Sequence, residues 1–252
     1  MPSGAFIDQG KAETLKLSVV IPAYKEEEYV ETTLCGIDET LRSIQLPSEI
    51  IVVLDVVPGD QTATCARKIA ETRARIRVLE RQGRRGVGDA VRAGIRAARG
   101  EIVIIAMGDQ SEDPSDIARL ISRAREHDVV FTNRFRHGRP SGYPVLKYIT
   151  NRICNSAVVL LFHIPYTDTT NAFKAYKKTL LDRLDLTSKG FEIFLEMPVK
   201  ATVLARSTDE IEVHHTVRKK EAPKLSIFKD GHKYARVLFS LLDWTKSVKN
   251  LG

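Results

Sequence analysis

Residues 101–117, EIVIIAMGDQSEDPSDI, constrain the fold of this chain more than any other stretch. Ile102 to Ala106 is a short unbroken apolar run, the pattern of a strand buried on both faces of a parallel sheet. It stops at Gly108-Asp109. After a polar run, Pro114 and Asp116 open an amphipathic helix carrying Ile117, Leu120 and Ile121. In an open α/β sheet, ligands sit beyond the carboxyl ends of the strands, so Asp109 is predicted to project into a ligand crevice. Taken alone, the segment also reads as a solvated acidic turn capping a helix. The units on either side decide against that.

Three strand–helix units precede it. Residues 15–23 (LKLSVVIPA) read as a strand ending at Pro22-Ala23-Tyr24-Lys25-Glu26, with an acidic helix start at 26–28 that suits the positive end of a helix dipole. A strand over 49–54 ends at Asp55, and Asp60 caps a helix through Ala74. A third strand, 76–79, leads through Gly86-Val87-Gly88 into a helix whose Ala93, Gly94, Ala97 and Ala98 permit close packing. Successive units spaced for right-handed crossovers predict an α/β protein with a Rossmann-like, doubly wound, mostly parallel sheet. After a fifth strand, 129–133, the pattern changes. An Arg, Gly and Pro-rich loop precedes an apolar helix over 146–162. Short strands are expected at 170–175 and 211–216, and helices at 191–204 and 227–248, with a basic loop between Arg218 and Leu225. No Gly/Ser/Pro linker divides the halves. The reading is therefore a flexible tail at 1–14 and one domain over 15–252, its donor half at 15–135 and an acceptor-side elaboration at 136–252.

The formal charge of +7 suits polyphosphate ligands or an anionic membrane surface; no motif supports a nucleic-acid partner. Cys35, Cys65 and Cys154 lack pair spacing and read as small buried apolar residues in a reducing compartment. No signal peptide is visible, and no unbroken apolar run approaches the ~18 residues that span a bilayer. The chain is expected to be cytoplasmic. Its terminal helix carries a Phe239/Leu241/Leu242/Trp244 stripe that packs on its own domain or lies on a membrane surface. There is no P-loop, and Gly86-Val87-Gly88 lacks the third glycine of a dinucleotide fingerprint.

The strand ends taken in order resemble family-2 glycosyltransferases of the GT-A fold, and among them the dolichol-phosphate mannosyltransferase-like polyprenyl-phosphate glycosyltransferases. Residues 19–26 (VVIPAYKE) resemble V-V-I-P-x-Y-N-E. Residues 50–62 resemble I-I-V-V-D-D-G-S-x-D-G-T, with Asp55, Asp60 and Thr62 on the first Asp, third Asp and last Thr. Met107-Gly108-Asp109 falls on D-x-D, and 113–117 on P-P-E-D-I. Thr132-Asn133-Arg134 resembles G-S-R, and 168–176 resembles D-x-T-S-G-F-R-A-Y. Glu196 falls on the Glu of a Gln-Glu helix. Arg218 and Pro223-Lys224-Leu225 match R-x-x-G-x-S-K-L. The resemblance covers about residues 16–235.

It implies an inverting transfer of a sugar from a nucleoside-diphosphate sugar (GDP-mannose or a UDP-sugar) to a polyprenyl or dolichyl phosphate, or another anionic acceptor. Pro22, Tyr24, Glu26, Val53 and Asp55 would frame base and ribose, with Gly108 and Asp109 at the diphosphate. Asp109 would hold Mg²⁺ or Mn²⁺, a hard cation that wants oxygen ligands. Arg134, Arg218 and Lys224 would clamp phosphate. The pattern also departs from the family. Met107 replaces the first Asp of D-x-D, Val56 the second Asp after the second strand, and Lys25 the usual Asn. The metal is therefore expected to be weakly held, with Glu112 or Asp113 as substitute donors. The alternatives are a degenerate nucleotide-sugar binder without turnover and a transferase with a soluble acceptor. His214-His215 are adjacent on a strand, point to opposite faces and are read as packing or solvated. Oligomeric state is not legible.

Overall fold

The computed structural model describes residues 16–83, 85–215 and 227–249, with side chains described for 231–248 of the last segment. Four strand–helix units open the chain. They are β1 (Leu17–Ala23) and α1 (Val30–Ile44), then β2 (Ser48–Val56) and α2 (Thr62–Thr72). Next come β3 (Ile76–Gln82) and α3 (Val87–Ala97), then β4 (Ile102–Ile105) and α4 (Asp116–Ala124). β5 (Val129–Asn133), α5 (Val145–Phe162), β6 (Lys174–Lys177) and α6 (Lys178–Leu181) follow. α7 (Ile193–Leu204), β7 (Thr208–Glu212) and α8 (Ile227–Lys249) complete the described chain.

The seven strands form one sheet in the order β3-β2-β1-β4-β6-β5-β7. β1 pairs in parallel with β2 and β4, β2 with β3, and β5 with β7. β6 alone is antiparallel, wedged between β4 and β5. The second half of the chain thus extends the sheet of the first, and the sheet is mostly parallel as expected.

Burial explains the unbroken apolar strands. All seven residues of β1 and the first eight of β2 are buried, because helices cover both faces. Val19, Ile21, Ile50 and Val52 pack under α1, α2 and α4. Val20, Ile51, Val53 and Val103 pack under α3 and α7. A smaller cluster of Val158, Leu195, Val199 and Leu241 joins α5, α7 and α8.

Several expectations are revised. β6 begins at Lys174 rather than at residue 170, because its partner β4 ends at Ile105, which is paired with Lys174. β7 spans 208–212 rather than 211–216, because its ladder partner among the described residues, β5, ends at Asn133 opposite Glu212. Beyond that, His215 makes an isolated bridge to Glu112. The cysteines are not core residues: Cys35 and Cys65 are half-buried and Cys154 is exposed. In the terminal helix Leu241 packs on the domain, whereas Phe239 is 69% exposed. Finally, α5 is long and apolar enough to cross a membrane by length and composition, with a mean hydropathy of 1.2. Counting unbroken runs overlooks it, because Lys147 and Arg152 interrupt the run in sequence.

Candidate nucleotide-sugar site

β1 is flanked by β2 on one side and β4 on the other, so the strand order reverses beside it. At such a switch point the connections leave in opposite directions and open a crevice at the carboxyl ends. Gly108 brings the two strand ends together. A Cβ on it would lie 2.8 Å from the Ala23 Cβ, so only glycine allows this approach. Asp109 follows directly and is buried beside the β1 end. Its Oδ1 accepts the Ser111 amide at 3.0 Å across a turn in which Gln110 takes a left-handed φ of 59°.

Pro22 is buried in β1 and Tyr24 is half-buried just past it. Glu26 is buried, and its amide donates to Thr62 Oγ1 at 2.8 Å. The Lys25 amide donates to Asp60 Oδ2 at 2.9 Å, so Asp60 ties the β1 end to the start of α2. Val53 lies fully in the core, close against Gly94 of α3, rather than on the crevice surface.

Asp55 is positioned at the β2 end but is committed to the protein. Its carboxylate pairs with Arg81 and accepts the Arg85 and Gly86 amides at 2.9 and 3.0 Å. It therefore shapes the loop between β3 and α3. Gly86 in that loop has a φ of 96°, a conformation costly for any residue with a Cβ. A Cβ there would also meet the Lys189 carbonyl at 2.5 Å. The Gly-Val-Gly segment thus serves close backbone packing. Its counterpart, the 187–190 loop, is held by Glu196, which accepts the Thr187 and Ser188 amides and pairs with Lys200 at 2.7 Å. Burial works to raise the Glu196 pKa, but Lys200 and these donors outweigh it and hold it below the usual range.

Arg134, expected as a phosphate clamp, instead forms a buried two-pronged pair with Asp168. Nε and Nη2 both donate at 2.8 Å, and the Arg134 amide adds a third bond at 3.0 Å. Burial acts against both charges, yet each partner outweighs it, so Arg134 titrates above its ordinary range and Asp168 below. Lys174 lies next to this pair, fully buried, with Nζ donating to the Asn171 carbonyl and 5.5 Å from the Phe131 ring. Burial pushes it down to about 7. Around them, Asn155 Oδ1 accepts Thr169 Oγ1 and the Thr170 amide, and Asn171 donates to Thr132. These bonds fix the whole 168–171 turn.

Met107 leaves one carboxylate where the motif has two. Glu112 folds back, and its Oε2 accepts the Met107 amide at 3.3 Å; burial of the carboxyl group raises its pKa to about 7. Among the described residues no group of three or more His, Cys, Asp or Glu comes together for a metal. The donors present still fit a hard cation that takes one protein carboxylate, Asp109, and completes its shell from phosphate oxygens and water. Arg218 and Lys224 lie outside the described residues. His215, the last described residue before them in sequence, bridges to Glu112. A larger open cleft, about 470 Å³ and lined by Arg42, Arg75, Arg77 and Arg99, lies at the amino ends of the strands, away from the switch point.

Sequence reading missed Arg81, Lys174 and the bracing role of Asp168. Asp168 stood inside a recognised motif, but its partner thirty-four residues earlier was visible only in the fold.

Strand order, helices on both faces and a buried carboxylate at the switch point define an open, doubly wound α/β domain of the GT-A kind. Residues 18–185, well over half of the chain, match the family described as Glycosyl transferase family 2, and the chain belongs to that family. It is 25% identical over 243 residues to a dolichol-phosphate mannosyltransferase of Pyrococcus furiosus, covering 94% of this chain and 66% of that protein. It is 28% identical over 211 residues to an undecaprenyl-phosphate 4-deoxy-4-formamido-L-arabinose transferase of Pseudomonas fluorescens, covering 83% of this chain and 60% of that protein. The chain thus spans about two thirds or less of these relatives. Among solved structures, glucosyl-3-phosphoglycerate synthase from Mycobacterium tuberculosis, in complex with Mn²⁺, UDP-glucose and phosphoglyceric acid, shares the fold. Its TM-score is 0.65 at 17% identity, over 91% of this chain and 80% of that one. S. aureus TarS 1-349 in complex with UDP-GlcNAc gives 0.60 at 18% identity, over 90% of this chain and 66% of that one.

Proposed function

We propose that this chain is an inverting glycosyltransferase that moves a sugar from a nucleoside-diphosphate sugar, GDP-mannose or a UDP-sugar, to a polyprenyl or dolichyl phosphate. The observation that carries the reading is Asp109, buried at the β1/β4 switch point of a family-2 sheet. Support for the acceptor comes from relatives named for dolichol phosphate and undecaprenyl phosphate.

In this reading an acceptor phosphate oxygen forms the new bond to the anomeric carbon. The bond from that carbon to the diphosphate breaks on the opposite face, and the nucleoside diphosphate leaves with the electron pair. An acceptor that is already an anion needs positioning and charge stabilisation rather than a strong base. Asp109 would hold Mg²⁺ or Mn²⁺, which when bound would supply Lewis-acid neutralisation of the departing diphosphate. Pro22, Tyr24 and Glu26 line the donor end, and Asp55 holds the loop that walls it. Arg134 positions the 168–171 turn through Asp168, while Arg218 and Lys224 bring charge to the phosphates. Catalysis then takes place on the cytoplasmic face of a membrane, where a lipid phosphate is presented.

A second reading, nucleotide-sugar binding without turnover, is favoured by Met107 and by the commitment of Asp55 to Arg81. One experiment separates the two. Thermal shift with GDP, UDP and their sugars, with and without Mn²⁺, should raise stability by about 2.7 kcal/mol at a hundredfold excess over Kd. Transfer to a short-chain polyprenyl phosphate should follow with the best donor. Binding without transfer selects the second reading, and no shift with any nucleotide removes both.

A further inference from the structure

α5 is amphipathic the wrong way round for a core helix. Among its eighteen residues only Asn155 and Val158 are buried, and Asn155 spends its side chain on Thr169 and Thr170. The outward face is apolar: Leu146 is 77% exposed, Ile149 48%, Ile153 65% and Leu160 76%. Their spacing of three, four and seven residues places them on one stripe of the helix. At ~1.5 Å per residue the stripe from Leu146 to Leu160 runs about 21 Å. Val145 and Leu161 flank it, also exposed. A solvated apolar face of this extent marks an interaction surface.

Charge identifies what it meets. From Val129 to Thr167 the sequence contains no Asp or Glu, but it contains Arg134, Arg136, Arg139, Lys147 and Arg152. Arg136 and Arg139, just before the helix, and Lys147 in its first turn are exposed. In the fold His137 pairs with Glu212 at 3.0 Å and Arg136 faces Glu210 of β7, whereas Lys147 is exposed on the helix itself beside the apolar stripe. The combination complements a surface that is apolar inside and anionic at its edge. α5 does not cross such a layer in this fold. It leaves β5 and returns to β6, which are paired neighbours in one sheet, so both of its ends stay on one side.

We propose that the outward face of α5 docks this chain laterally on an anionic lipid bilayer, with Leu146, Ile149, Ile153 and Leu160 entering the headgroup–acyl boundary. Arg136, Arg139 and Lys147 meet the lipid phosphates. The chain segment that follows α5 is the 168–171 turn anchored by Asp168 to Arg134, so docking sets this turn at the membrane. The proposal rests on the lipid-phosphate acceptor reading and names the surface by which the enzyme reaches such an acceptor.

The test is flotation of the chain with phosphatidylglycerol vesicles and with phosphatidylcholine vesicles, beside the double variant Leu146→Glu/Ile153→Glu and the single variant Lys147→Glu. The wild type should float with the anionic vesicles. The double variant should partition at least tenfold less, and Lys147→Glu should lose most of the preference for anionic lipid. Both variants should keep the nucleotide thermal shift, because these side chains already face solvent. No flotation of the wild type, or equal flotation of the double variant, overturns the proposal. So does a lipid-free dimer, seen by sedimentation, that the double variant abolishes, since a second copy then covers the face. Turnover with a short-chain, water-soluble polyprenyl phosphate keeps the two readings apart. Transfer without flotation removes the docking surface alone, and flotation without transfer removes the acceptor reading alone.

Discussion

Lys174 is an unusual residue to find at the centre of a sheet, since a buried ammonium loses its hydration and is offset here by only part of Asp168's charge. Its pKa falls to about 7 in the folded protein, against about 10.4 in an unfolded chain. Between those values the unfolded state binds the additional proton, so stability rises with pH across that window. Below pH 7 both states are protonated and the burial penalty is felt in full. Unfolding by urea at pH 7 and pH 9.5 should show the wild type gaining on Lys174→Met by up to about 1.4 kcal/mol per pH unit. Parallel pH curves for the two proteins would mean that Lys174 stays charged inside. Arg134 and Asp168 obey the opposite logic. Their pair satisfies both charges, so removing either partner strands the other.

At the scale of elements, the crevice beside Asp109 depends on how closely β4 approaches β1. Gly108 sets that distance, because any side chain there runs into Ala23. Gly108→Val should force the strand ends apart at a cost of about 1–3 kcal/mol, the usual penalty of overpacking. It should also weaken nucleoside-diphosphate binding more than tenfold, since Asp109 moves with the β4 end. Calorimetric affinity at wild-type strength, in a variant shown to be folded, would detach Asp109 from the site. The same element-level view explains why β6 and β7 are shifted from their expected positions. Strand ends follow the ladder partner, and that partner is far away in sequence.

Across the whole molecule, the second half of the chain braces the first. Glu196 on α7 holds the 187–190 loop, and the Lys189 carbonyl accepts the Gly88 amide at 2.8 Å. Gly86 in turn donates to Asp55 at the β2 end. The route from α7 to Asp55 at the β2 end is thus continuous hydrogen-bonded structure. Glu196→Ala leaves Lys200 buried without its carboxylate, which should cost about 3–5 kcal/mol, as for other broken buried pairs. Nucleotide affinity should fall with it, although Glu196 touches no nucleotide-facing residue directly. Denaturation and calorimetry on the same variant check both effects, and a loss of stability with full affinity would show that the brace ends at the 187–190 loop.

Sequence by itself determined the features that arise locally. Unbroken apolar runs such as 102–106 require a strand covered on both faces. Asp109 beyond such a run falls at a strand end, and the ordered motifs lead to the family. What only tertiary structure decided is which groups meet. Asp55 is committed to Arg81 and Gly86, and Arg134 to Asp168, because each partner arrives from another strand or loop. The outward face of α5 was hidden for a related reason. Its apolar residues are interrupted along the chain and adjoin only once the helix forms, and which side faces the protein was settled by Asn155 bonding to the 168–171 turn.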